Sequence, residues 1–348
     1  MERRAARAAA GDDGGAAGWC TVTPVSRACV RDRAIVALVA VVGAVMTSCA
    51  DRPPPAPPAR RIRLMTGLLG SGYYGLGQAM AGAYAQAHPA APLDVIEGSG
   101  SVSTVEAIQA GHADVGFTLA DVAYLAFAGR LGDRPARYDR LRGLSVLQLT
   151  PLQLVVRTAS RIRSVPDLKG RSLVVGPSGS GTPFTAALVL RAFGVAPEQV
   201  HTIAVPFKEG AHLLHTGAAD AMFLNATYPA ENVNEAIAAG THLVSIDGPP
   251  VNELRREYPF FRLARIPAST YANQPESIYT IGTDALMVCR DDLEELTAYE
   301  LTRHLFAMLS GFPAADSLRL MNLASAAATP IPLHPGAARY FRERELFR

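Results

Sequence analysis

Lysine is nearly missing from this chain of 348 residues: only Lys169 and Lys208 occur, and arginine carries almost all the positive charge. That shortage bears on the most conspicuous loop, "LVVGPSGSGTPFTAAL" from Leu173 to Leu188. Gly176 and Gly181 have the separation of a nucleotide phosphate loop, which wants a lysine and then a hydroxyl next. Thr182 and Pro183 stand there instead. Without the cation, the loop is a poor match to a nucleoside triphosphate. The formal net charge is only +2, which argues against a nucleic-acid partner. Cysteine is scarce: Cys20, Cys29 and Cys49 lie near the start, leaving Cys289 alone in the body. One cysteine forms no internal disulfide, and no metal-type cysteine spacing exists. "ALMVCRDDL" reads Cys289 as a small apolar side chain on a strand.

Long apolar runs are missing too. "AIVALVAVVGAVM", Ala34 to Met46, is too short for an ordinary spanning helix. Arg27, Arg31 and Arg33 precede it and "TSCA" follows, the layout of a secretory signal. The segment resembles a bacterial lipobox, with Met46 in place of the usual leucine and Cys49 as the lipidated first residue of the mature chain. An ordinary signal cut nearby is the alternative. Residues 1–49 are therefore expected to be a lipoprotein signal peptide with an overextended start, Val30 being one candidate initiation point. "ADRPPPAPPAR" at residues 50–60 is an extended proline-rich tether.

The body contains a repeat. "IRLMTGLLGSGYYGLGQAMAGAYA" from Ile62 reads as strand, Gly70-Ser71-Gly72 loop and helix; the loop at Gly179-Ser180-Gly181 follows the same plan. Downstream stand "IQAGHADVGFTLAD" and "LHTGAADAMFLNAT", each with a helix ending at a glycine (Gly111, Gly217), an aspartate (Asp114, Asp220) and a strand carrying Phe117 or Phe223. Glycine suits the left-handed helix cap and aspartate can hold loop amides. Two α/β units that each place a glycine loop at a strand's C-terminal end can face each other across a ligand cleft.

Four segments in order carry a family resemblance: "TGLLGSGYYGLG", "GSGSVSTVEAIQAGHADVGFTLADVAYLAFAG", "VPDLKGRSLVVGPSGSGT" and "PIPLHPGAARYFRE". Over residues 62–345 the chain resembles the TAXI solute-binding proteins of TRAP (tripartite ATP-independent periplasmic) transporters. The departures are Leu68 and Leu69, where glycine and threonine are usual, and Ser103 and Thr104, where acidic and asparagine residues are common. The resemblance implies an α/β, two-lobed periplasmic-binding-protein-like fold with a ligand cleft between lobes joined by a hinge. Lobe one would combine residues 61–153 and 268–348, and lobe two residues 154–267. The hinge would lie near "QLTPLQLVV" and "ARIPASTYANQ". It also implies a small organic anion or amino acid as ligand, glutamate-like or a dicarboxylate, handed to a TRAP permease outside the cytoplasm by a lipid-anchored protein that needs no cofactor. A sensor subunit docking on a signalling receptor, or a cleft enzyme, would use the same cleft.

The candidate ligand contacts follow from the loops. Ser180, Gly181 and Thr182 should open a helix whose amides and hydroxyls can hold a carboxylate; a plain strand-to-helix turn is the alternative. Gly70, Ser71, Gly72 and Tyr73 are the first-lobe counterpart, and Gly100, Ser101 and Val102 begin a further helix. Asp121 could accept from a ligand ammonium or cap the following helix. In "NATYPAENV", Asn225, Tyr228 and Pro229 would wall the second lobe, with Pro229 also suited to start a helix. No catalytic set is evident: Ser180 is outside a G-x-S-x-G elbow and no histidine–carboxylate pairing declares itself. His212 and His215 lie one helix turn apart, but no third ligand with suitable spacing accompanies them, so no metal is expected. "LHPG" reads as a turn against the first lobe.

Overall fold

A computed structural model of the chain describes residues 61–69, 71–132, 136–237, 240–309 and 325–344. The expected signal, Cys49, the tether and Gly70 lie outside the described residues. No helix among the described residues is long and apolar enough to cross a membrane.

The two copies of the sequence repeat fold alike. In the first, strands β1 (Ile62–Met65), β2 (Leu93–Ile96) and β3 (Val115–Leu119) are parallel in the order β2-β1-β3. Helices α1 (Gly72–Ala87) and α2 (Ser101–Gln109) make the connections, and α3 (Ala120–Phe127) follows. In the second, β5 (Ser172–Val174), β6 (His201–Ile203) and β7 (Ala221–Asn225) are parallel in the order β6-β5-β7. Here α4 (Thr182–Ala192) and α5 (Phe207–Thr216) connect them, and α6 (Glu231–Ile237) follows. Helix α1 carries four glycines and so has little intrinsic helicity. It forms because Ser71 caps it and Leu76, Met80 and Tyr84 are buried along one face.

Two long strands join the halves. β4 (Leu141–Arg157) runs through both sheets: its first part pairs with β10 (Ile278–Arg290), its second with β7 and with β8 (Thr241–Val244). β10 inserts antiparallel between β3 and β4, and its first part pairs with β9 (Phe261–Ile266). β4 thus passes from one sheet to the other, giving the two-lobed fold expected from the sequence. Near "QLTPLQLVV" the strand continues rather than breaking. Residues 268–277 touch both sides of the expected boundary at residue 153: Tyr271 donates from its hydroxyl to Gln153 Oε1 at 2.8 Å and accepts from the Ala230 amide at 3.0 Å. β10 pairs with β9 over Ile278–Thr283 and with β4 from Gly282 onward.

Helix α7 (Pro249–Glu257) covers β9, while α8 (Glu295–Leu309) and α9 (Pro335–Glu343) close the outer face of lobe one. There Ala298, Leu301, Leu305, Tyr340 and Phe341 share a cluster with Leu64, Met80 and Phe117. "LHPG" is not a free turn: His334 caps α9, accepting from the Gly336 amide, and Pro335 is its first residue. Pro229 does not open a helix; α6 begins at Glu231. The largest cluster crosses from lobe to lobe, placing Leu119 and Val122 with Leu173, Ala186 and Phe223. Each fully buried side chain of this size adds about 1.5–3 kcal/mol, so apolar burial holds the lobes together as well as each lobe separately.

Candidate functional site

The glycine loop of lobe two meets the later glycine loop of lobe one, at Gly100, rather than its expected counterpart at Ser71 and Gly72. In lobe one, "GSGSV" leads into α2; in lobe two, "GPSGSGTP" leads into α4. The first turn of a helix has amides with no partner in its own helix. At α2, the Val102 and Ser103 amides both donate to the Gly179 carbonyl of the opposite lobe, at 3.0 and 3.2 Å. A peptide oxygen from lobe two is therefore seated at the positive end of a lobe-one helix. Close approach requires glycine here. A Cβ on Gly100, whose φ is +137°, would stand 2.9 Å from Ser180 Cα. A Cβ on Gly181 would press on Val122 at 3.0 Å and Leu119 at 3.1 Å.

Beside this contact runs a polar seam. Asp121, on α3, is fully buried. Its carboxylate accepts from Thr185 Oγ1 of α4 at 2.5 Å and from the Val122 amide at 2.8 Å. Thr185 Oγ1 in turn accepts from Asn225 Nδ2 at 3.0 Å, so one chain of bonds links α3 to α4 and β7 across the lobes. Burial pushes the Asp121 carboxyl up to about 6, against the lowering effect of those bonds. The Asp121 amide donates to Thr283 Oγ1, and Thr283 lies opposite Thr150 where β10 pairs with β4. Tyr73 faces the same place from α1: burial pushes its hydroxyl well up, and neighbouring Thr150 opposes that rise. Its ring stacks on Phe117 with centroids 5.7 Å apart.

Several atoms along the seam are buried yet complete no hydrogen bond among the described residues: Tyr73 Oη, Gln148 Oε1, Thr150 Oγ1, Ser180 Oγ and Asn225 Oδ1. Leaving such a group unpaired costs about 1–3 kcal/mol. They come from lobe one, the shared strand and lobe two. No arginine or lysine bonds to any of them. The arrangement offers helix-start amides and hydroxyls for a carboxylate, and one buried carboxylate for a cationic group.

The structure thus brings Gly100, Ser101, Val102, Asp121, Ser180, Gly181, Thr182, Asn225 and the Tyr73 hydroxyl to the lobe junction. Ser101 Oγ is already used, accepting from the Leu119 amide at 3.1 Å, and Thr182 Oγ1 accepts weakly from the Asn225 amide at 3.5 Å. Ser71 is turned to its own helix, its Oγ accepting from the Tyr74 amide at 3.3 Å. Gly72 is exposed. Tyr228 packs against the outer cluster of lobe two, and the Tyr228–Pro229 peptide is cis. Sequence reasoning missed Gln148, Thr150, Thr185 and Thr283. Gln148 and Thr150 had a signal: they interrupt the otherwise apolar strand "LRGLSVLQLTPLQLVVR". A surface groove of about 680 Å³ lies elsewhere, lined by Lys208, His212, His215 and Glu235 among others.

A family model described as the NMT1-like family matches residues 64–344. Among solved structures, MatC from Rhodopseudomonas palustris with bound malate superposes with a TM-score of 0.50 at 13% identity, over 83% of this chain and 97% of that one. The periplasmic aliphatic sulphonate binding protein SsuA from Escherichia coli gives 0.46 at 17% identity, over 82% and 84%. SsuA from Xanthomonas axonopodis pv. citri, bound to MOPS, gives 0.47 at 15% identity, over 84% and 96%. The likeness to MatC is one of fold.

Proposed function

Since the chain belongs to the NMT1-like family, with a two-lobed binding-protein fold, we propose that it is an extracytoplasmic solute-binding receptor for a small carboxylate, foremost an amino acid or dicarboxylate. It hands its ligand to a membrane permease of the TRAP type, as the resemblance to TAXI proteins implies, and Cys49 anchors it by a lipid. In this reading residues 61–153 with 268–348 form lobe one and residues 154–267 form lobe two.

One observation carries the reading: partnerless buried polar atoms from both lobes gather at one seam. A ligand carboxylate takes the place of the Gly179 carbonyl on the Val102 and Ser103 amides, with Ser180 Oγ as a further donor. A helix start can hold a single negative charge without arginine, which accords with the missing lysine. Asp121 then sorts the ligands. An ammonium group meets its carboxylate favourably, whereas a second carboxylate requires it to take up a proton. MatC, which shares the fold, was solved with malate. In this reading the seam binds its ligand and does not turn it over.

A thermal-shift screen of amino acids against dicarboxylates tests this. A true ligand at ~100 times its dissociation constant adds about 2.7 kcal/mol. Asp121→Asn should weaken an amino acid and strengthen a dicarboxylate. Gly181→Val, which wedges Leu119 and Val122 apart, should abolish binding of either. Carboxylate binding that survives Gly181→Val in a folded protein would remove the site from this seam.

A further inference from the structure

We propose that lobe one carries a binding site for a divalent transition metal such as Zn²⁺, formed by His88, Glu300 and His304. It lies on the outer side of the lobe, where the C-cap residue of α1 meets α8. One donor atom from each of the three side chains lies within 4.8 Å of the other two. Nitrogen and carboxylate oxygen are the donors Zn²⁺ takes, and Glu300 and His304 stand one helical turn apart on the same face.

The spacing is close to what a metal needs. Four-coordinate zinc with bonds of about 2.0–2.1 Å holds neighbouring donors about 3.3–3.4 Å apart. His88 Nε2 is 3.6 Å from Glu300 Oε2, too far for a hydrogen bond. His304 Nδ1 donates to the Glu300 carbonyl at 2.8 Å, which leaves Nε2 as its metal donor. His88 Nε2 is buried and has no hydrogen-bond partner among the described residues. The rings are held in place: Tyr84 stacks on His88 at 4.4 Å and meets His304 edge-on at 5.3 Å. The side chains are 30, 19 and 10% exposed, so a hydrated ion can reach them from one side.

A cation already tests the position. Arg303 donates to Glu300 Oε2 at 2.6 Å through Nη2, which also lies 3.4 Å from His304 Nε2. Arg303 is 40% exposed and can swing into water. It acts as an internal competitor, so removing its charge should tighten metal binding. A purely structural cluster predicts no such gain.

The experiment is equilibrium dialysis of the chelator-stripped full chain against Zn²⁺, with Co²⁺ absorption as a coordination readout. We expect a saturable equivalent that weakens at least tenfold in His88→Gln and in His304→Gln and binds several-fold tighter in Arg303→Gln. Its intense Co²⁺ bands should vanish in His88→Gln. His212→Gln with His215→Gln should leave it intact. Zinc uptake unchanged in both His88→Gln and His304→Gln, weakened in Arg303→Gln, or lost with His212 and His215 would overturn the proposal. Should His304→Gln fail to fold, the partly exposed His88 decides alone.

Discussion

The two halves of the repeat use one bond in two settings. Asp114 precedes β3 and accepts from the Arg63 amide of β1 at 3.0 Å; Asp220 precedes β7 and accepts from the Ser172 amide of β5 at 3.1 Å. Both bonds fasten a loop to the neighbouring parallel strand. Beyond that the halves diverge. Asp114 is buried between two guanidiniums, with Arg63 Nε at 2.9 Å and Arg290 Nη1 at 3.1 Å. Burial raises its carboxyl, but the Arg63 bonds outweigh that and hold it below the usual range. Asp220 has Arg157 only at 3.7 Å and is more exposed. The difference is topological: Arg290 ends β10, which inserts into the first sheet beside β3. A repeated backbone device becomes an ion-pair centre only where a later strand delivers a second arginine.

The largest expected effect breaks this comparison directly. Asp114→Ala leaves the nearly buried Arg290 with Asp292 alone and takes the carboxylate from Arg63, and should cost about 3 kcal/mol. Asp220→Ala loses a partly solvated bond and should cost about 1–1.5 kcal/mol. Urea unfolding of the two variants measures the gap; equal losses would mean that Arg290 adds nothing.

A second asymmetry concerns pH. Counting from the paired aspartates, Asp121 corresponds to Thr227, so at this position lobe one has an acid and lobe two a neutral hydroxyl. The folded carboxyl titrates at about 6 against an ordinary 3.8. Between those values the folded chain keeps a proton that the unfolded chain has released. The stabilisation is complete below the unfolded value and is lost as pH rises through about 6, a change of about 3 kcal/mol. Asp121→Asn should remove this decline, seen as the difference in urea midpoints between the two proteins from pH 4 to 7. Parallel curves would place the titration elsewhere.

The smallest contrast lies between the loop serines. Ser71 caps its helix, so Ser71→Ala should cost about 1 kcal/mol of stability and spare ligand affinity. Ser180 Oγ has no partner among the described residues, so Ser180→Ala should spare stability and weaken carboxylate binding by about 1.5–3 kcal/mol, roughly tenfold to a hundredfold. Calorimetry joined to thermal melts separates the two, and a Ser180→Ala protein of full affinity would make that loop only a turn.

The repeat was legible because its signals are local. Gly111 and Gly217 adopt φ of +75° and +81°, and the aspartates after them hold the next strand, as their spacing implied. The glycine loops do open α2 and α4, although their mutual contact was not legible. Nothing in "GPSGSGTP" says that its Gly179 carbonyl would fill the start of a helix far back in the chain. Thr185 and Thr283 were missed because a threonine in a helix or strand carries no motif; only Asp121 and Thr150 give them meaning. Proline and glycine punctuation drew the second boundary at "ARIPASTYANQ"; no local signal told that Tyr271 in that loop would bond both Gln153 and the Ala230 amide. His88, Glu300 and His304 come from two distant helices, so no spacing rule could join them.

The insertion of β10 has a further consequence, for the order in which the chain can be built. β3 and β4 are not paired to each other; β10 fills the place between them. A ribosome or export channel that has delivered β1 to β4 has therefore delivered two strand edges with no neighbour, and they stay bare until residue 290 follows. The whole second lobe emerges in that interval. Unpaired strand edges invite pairing with other chains, and contacts between distant segments form slowly. For this protein the hazardous moment is the wait for one late strand, and a holding chaperone would be most useful to the half that was made first.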